Sequence, residues 1–230
     1  HVTVLSTDPD FSTKYASGVN ATNETGSVKD NVVTIGRKSP VDTPAINGDV
    51  VGGYSNAYAV THNTVTVDDM TLALAKSVFG GLADGDKAAD DNEVTINGGT
   101  FDGSNAVYGG KSDTGTATNN KVTINGGTYA GSNSVYGGRT SGTVATTGNE
   151  VIINGGHFDS NTDVYGGESA GGTAEGAAAT GNTITITGGT LHDVYGGFAK
   201  GTGKTTGNTV NLGDGTSDMA AGYAINGTIY

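Results

Sequence analysis

Residues 94–110 read VTINGGTFDGSNAVYGG, and they return almost unchanged 28 positions later, at 122–138, as VTINGGTYAGSNSVYGG. Near-copies continue on both sides. A unit of this length cannot bury its own apolar face, so it must stack on neighbours that resemble it.

Two anchors carry the repeat. The first is Asn-x-Val-x-Ile, at Asn63/Val65/Val67, Asn92/Val94/Ile96, Asn120/Val122/Ile124, Asn149/Val151/Ile153, Asn182/Ile184/Ile186 and Asn208/Val210/Leu212, with a looser copy at Asn31/Val33/Ile35. The second is Val-Tyr-Gly-Gly at 107–110, 135–138, 164–167 and 194–197, with the variants VVGG at 50–53 and VFGG at 78–81. It steps by 28, 29, 28, 29 and 30 residues, and in four consecutive repeats its Val lies 15 residues after the Asn. Between the anchors sits a Gly-Gly-x-aromatic element, GGTF, GGTY and GGHF, with GGTL as its last copy. A stretch of variable length follows the second anchor. The unit reads as three strands, two fixed corners and one tolerant loop.

Alternation along a strand assigns the faces. In residues 92–97, Asn92, Val94 and Ile96 share one side, and that side stays Asn, aliphatic, aliphatic from repeat to repeat. The opposite side varies, so the constant side is buried. Each strand then pairs with its copy one turn on, at about 4.8 Å. The predicted fold is all-β: a parallel β-helix solenoid, right-handed and three-sided, of six to seven turns and roughly 30–35 Å long. The Asn series Asn63, Asn92, Asn120, Asn149, Asn182 and Asn208 is expected to form a structural inner ladder, amide to amide. Residues 1–30 lack the repeat and read as an N-terminal cap or lead-in, with the solenoid at 31–230. GTIY at 227–230 matches the first half of the second anchor, so the repeats are expected to continue beyond residue 230.

Composition narrows the function. Of 230 residues 41 are Gly, yet there is no Gly-X-Y period and only 3 Pro, which excludes collagen. The formal net charge is −12 with no basic stripe, so nucleic acid and anionic membrane are not expected partners. No run is long enough for direct membrane insertion. With 0 Cys, disulfides and thiolate metal sites are excluded.

No catalytic or cofactor-binding residue is assigned. The histidines at 1, 62, 157 and 192 head no metal motif, and no nucleophile elbow or phosphate loop is present. Calcium is the only cofactor considered. Residues 83–93, with Asp84, Asp86, Asp90, Asp91 and Glu93, and residues 213–218 are acidic, but neither has the spacing of a known calcium loop. The surface feature of most interest is an outward aromatic ladder, Phe79, Tyr108, Tyr136, Tyr165 and Tyr195, suited to sugar rings or to a neighbouring rod. The post-anchor segments 54–62, 82–91, 111–119, 139–148, 168–181 and 198–207 leave one edge and vary on a constant frame, as recognition loops do.

The array NxVTINGGTF…VYGG resembles the passenger region of bacterial autotransporter (type V secreted) surface proteins over about residues 31–230. The resemblance implies a right-handed β-helix displayed outside the cell, a stalk or passenger module acting in adhesion. Its implied partners are a host-cell or bacterial surface protein or glycan. It carries over no catalytic residue, and neither the family's signal peptide nor its membrane barrel is present in these residues. The alternatives are a structural filament of rods joined end to end or side by side, and a polysaccharide-degrading β-helix enzyme, the least favoured of the three.

Overall fold

The computed structural model describes residues 2–5, 26–36, 45–46, 48–68, 70–73, 76–102, 106–131, 133–171, 177–213 and 223–230. Among them there is no helix, and every strand pairing is parallel. The strands stack as a β-solenoid of about five turns. Single faces extend past these turns at either end, which is why a count of anchors reaches a higher figure.

Each turn contributes to three long faces. The first holds the Asn-x-Val-x-Ile strands, among them Thr64–Val67, Glu93–Ile96, Lys121–Ile124, Glu150–Ile153 and Thr183–Ile186, in an eight-stranded sheet. The second is a seven-stranded sheet that carries the Gly-Gly-x-aromatic strands, such as Gly99–Asp102, Thr128–Ala130 and His157–Phe158. The third carries Val-Tyr-Gly-Gly within Ala106–Ser112, Ser134–Thr140 and Asp163–Ser169.

Register is held without slippage. Val65, Val94, Val122, Val151, Ile184 and Val210 are successive partners in one column. All but the last are fully buried. Each such aliphatic side chain removed from water contributes about 1.5–3 kcal/mol. The repeat therefore stabilises its own register, because a one-residue slip would turn the whole column outward. A second interior column is aromatic. Phe101, Tyr129 and Phe158 stack at centroid distances of 4.6 and 4.4 Å, and Leu191 is the buried residue at the next copy of the motif.

The three-strand unit needs one correction. The segments read as tolerant loops each run into a fourth, short face. Val28–Lys29, Val60–Thr61 and Ala89–Asp90 form one small sheet, and Thr146–Thr147, Ala179–Thr180 and Thr205–Thr206 another. Residues 116–119 link the two, since Ala89 donates its N–H to the Thr116 carbonyl and Asn119 to that of Thr147, both at 2.9 Å. Val60, Ala89, Ala117, Thr146 and Ala179 are buried along this face. The buried side chains there are short, Val, Ala and Thr.

A sharp corner joins this face to the first. The residue before each ladder asparagine is left-handed: Asp30, His62, Asp91, Asn119, Gly148, Gly181 and Gly207 have φ between 55° and 67°. Residues 2–5 and 28–29 of the expected cap are strands of the solenoid itself, Val2–Leu5 lying in register on Val32–Gly36.

Candidate functional site

Two ladders run along the rod. The interior one is made by the six predicted asparagines and by Asn31. The Nδ2 of Asn63 donates to Asn92 Oδ1 at 2.9 Å, Asn92 to Asn120 at 3.1 Å, Asn120 to Asn149 at 3.1 Å, Asn149 to Asn182 at 2.9 Å and Asn182 to Asn208 at 3.0 Å. Asn31 donates to Asn63 at 2.7 Å. Each acceptor oxygen also takes the backbone N–H of the preceding ladder residue, as Asn149 Oδ1 does from Asn120 at 2.9 Å. The second amide hydrogen goes to a carbonyl of the short face; Asn120 reaches Ala89 at 2.8 Å. From Asn63 to Asn182 these amides are buried and satisfied, which makes the ladder a scaffold.

The ladder also accounts for the second glycine of each second-anchor pair. A Cβ on Gly138 would lie 2.6 Å from the Asn149 amide nitrogen and 2.6 Å from the Ala117 carbonyl oxygen. Glycine is required there because the asparagine fills the space a side chain would take.

The second ladder lies on the opposite side of the third face. Phe79, Tyr108, Tyr136, Tyr165 and Tyr195 stack at 4.9, 5.0, 4.9 and 4.8 Å, their ring planes nearly parallel. Tyr230 extends the stack at 4.6 Å, and Ile229 bridges Val194. The ladder is less open than alternation suggests. Phe79 is only 6% and Tyr108 8% exposed, and the other rings are half-buried up to Tyr230, which is 65% exposed. The cover comes from the residue just past each Gly-Gly. Lys111 Nζ lies 5.6 Å from the Tyr108 centroid, and the Arg139 guanidinium 5.3 Å from that of Tyr136. Such contacts are cation–π pairs. Burial, then the negative charge of Glu168, pushes the Tyr136 phenol up to about 12. Burial and then Asp193 raise Tyr195 to about 12.

A third ladder was not anticipated. Asn97 donates to Asp68 at 2.6 Å, Asn125 to Asn97 at 2.8 Å, Asn154 to Asn125 at 2.8 Å and Thr187 to Asn154 at 2.9 Å, all on the exposed side. The recurrent Asn of "TINGG" was the available signal.

The acids of residues 83–93 do not converge. Asp84 accepts the Tyr54 hydroxyl at 2.6 Å and Asp86 pairs with Lys87 at 2.7 Å. Asp90 accepts the Thr118 N–H at 2.7 Å, and Asp91 forms the left-handed corner. In the second acidic stretch, residues 214–218 lie outside the described residues, as does His1. His62 lies 4.0 Å from Asp91, and His157 is an exposed side chain 3.7 Å from Asp159.

No family model, curated protein or solved structure matches the chain.

Proposed function

We propose that the chain is a β-helical stalk or passenger module of an extracellular bacterial surface protein, acting in adhesion. One observation carries this reading. On a frame whose inner columns repeat the same residue types, one outer column changes its chemistry at nearly every turn. Tyr54, Leu82, Lys111, Arg139, Glu168 and Phe198 are successive partners in it. Together with the aromatic ladder beside it, this column forms a stripe of aromatic, aliphatic, cationic and anionic groups along the rod. A stripe of fixed spacing and varied chemistry suits recognition of a surface protein or glycan. The absence of cysteine agrees with passage through an export channel.

The test is binding of the purified, labelled chain to epithelial and bacterial cells. Saturable binding is expected, and it should fall at least tenfold when Lys111→Ala, Tyr195→Ser and Phe198→Ser are combined, measured at a temperature where circular dichroism shows the variant still folded. Absence of saturable binding to any cell type rejects adhesion.

A filament built from such rods is the second reading. Among the described residues the exposed large hydrophobics are Leu212, Ile229 and Tyr230, all at one end of the stack. A further turn or the end of another rod would cover them. Concentration-dependent fibres in electron micrographs, abolished by Leu212→Asp with Ile229→Asp, favour it. A monodisperse monomer at high concentration excludes it.

A further inference from the structure

In a repeat protein, departures from the repeat that converge in space mark a local role. Near the 230 end one such departure meets a pair of stacked acids. The position before the second anchor is Asp49, Ser77, Ala106, Ser134, Asp163 and Asp193 in successive turns, so only in the last two does one acid follow another. The position before that is Asn133 and then Thr162, but His192 in the last of these turns. Asp163 and Asp193 occupy one column one turn apart, next to the paired Val164 and Val194. Like charges placed directly opposite on neighbouring strands are destabilising. Asp49, at the same position in an earlier turn, has the neutral Ser77 as its neighbour and accepts its N–H at 2.8 Å.

His192 stands between the two acids. Its Nδ1 is 3.2 Å from Asp163 Oδ1 and 3.9 Å from Asp193 Oδ1. One ligand atom from each of the three residues lies within 4.8 Å of the others. The carboxylates are held from behind. Asp163 Oδ2 accepts the Tyr165 hydroxyl at 3.2 Å and Asp193 Oδ2 that of Tyr195 at 3.4 Å. Asp193 Oδ1 also accepts the Thr228 N–H at 2.6 Å. The three side chains are 21–32% exposed, open enough for an ion to enter.

We propose that Asp163, His192 and Asp193 bind one divalent transition-metal ion, with zinc as the representative. A tetrahedral ion with bonds of about 2.1 Å places its ligands about 3.4 Å apart, so these atoms need move little. The imidazole nitrogen selects this class over calcium and magnesium, which take oxygen ligands. Three protein ligands leave one coordination position for water. The ion offsets the stacked carboxylates and clips consecutive turns together.

The test is calorimetric titration of the untagged 230-residue chain, stripped with EDTA, with zinc chloride. One equivalent should bind and raise the melting temperature. Asp163→Asn, His192→Gln and Asp193→Asn should each weaken binding at least tenfold while the circular dichroism spectrum stays unchanged. His62→Ala and His157→Ala should leave binding intact. Because His192→Gln keeps a side chain of similar size and polarity, it separates loss of the ligand from loss of the fold. No saturable uptake by the wild-type chain overturns the proposal, as does uptake that survives His192→Gln.

Discussion

The side-chain amide of Asn120 donates to Asn149 Oδ1 at 3.1 Å, and that same oxygen accepts the backbone N–H of Asn120 at 2.9 Å. One asparagine thus serves both its neighbour's side chain and its neighbour's backbone. Replacing Asn120 by Ala leaves the backbone N–H of Asn92 without its acceptor, costs the Asn92 amide its bond along the ladder while those to Val60 and Asp90 remain, and removes the bond to Ala89. Buried donors left unsatisfied cost about 1–3 kcal/mol each, so a loss of about 3 kcal/mol is expected. Asn208→Ala, at the part-buried end of the ladder, should cost less. Urea denaturation of both variants measures the gradient, and equal losses would contradict a cooperative ladder.

Two glycines separate steric from conformational demand. Gly181 has φ +64° and open space around a new Cβ, so Gly181→Ala should cost only left-handed strain, about 1–2 kcal/mol. Gly138→Ala carries the clash with Asn149 instead and should cost more, by at least about 1 kcal/mol, as overpacking does. In the opposite direction, His62→Gly relieves the same left-handed corner and should stabilise by up to about 1 kcal/mol. Melting temperatures should rank His62→Gly highest, Gly181→Ala next and Gly138→Ala lowest.

The columns that sequence alone made legible are those whose spacing is constant. Asn120, Val122, Ile124 and Val135 recur at fixed intervals, so their faces and stacking could be read from alternation. The short face through Val60, Ala89 and Ala117 was hidden, because the residues before it vary in number and its members are small. The left-handed corner was hidden because His62, Asp91, Asn119 and Gly148 share a conformation and not a chemistry. The outer aromatics were assigned to a side, but their cover was not visible. Within each strand the Gly-Gly pair interrupts the in–out alternation and returns Lys111 and Arg139 to the side of the rings. Asp163 and Asp193 were visible as outer polar residues. Their meeting with His192 depends on the stacking of one turn on the next.

The aromatic ladder should show itself in alkali. The Tyr136 phenol is raised to about 12 because burial disfavours its charged form. The unfolded chain loses that proton near pH 10. Stability from this group is therefore whole below pH 10 and is lost as the pH rises through 12, by about 2–3 kcal/mol. Absorbance at 295 nm should show late-titrating tyrosines that revert to ordinary values in denaturant. Uniform titration near pH 10 in the folded chain would contradict the packing.

Arg139 and Glu168 form a pair at 2.6 Å with side chains 26% and 12% exposed. Arg139→Ala strands a nearly buried carboxylate and uncovers Tyr136, so it should destabilise by about 2–3 kcal/mol. Adding Glu168→Gln should restore part of that loss. A double-mutant cycle in low and high salt measures the coupling, and salt should weaken it only slightly because the pair is shielded from water.

The hydrogen bonds between turns run along the rod, and that direction decides how it answers force. A pull on its two ends enters through the terminal turns, whose bonds are loaded one after another, so turns peel away in succession while the remainder keeps its shape. Each released turn of 28 residues shortens the folded stack by about 4.8 Å and frees about 95 Å of extended chain. Tethered between two surfaces, such a rod behaves as a ratchet of many small yields, lengthening about twentyfold per turn before the next turn takes the load.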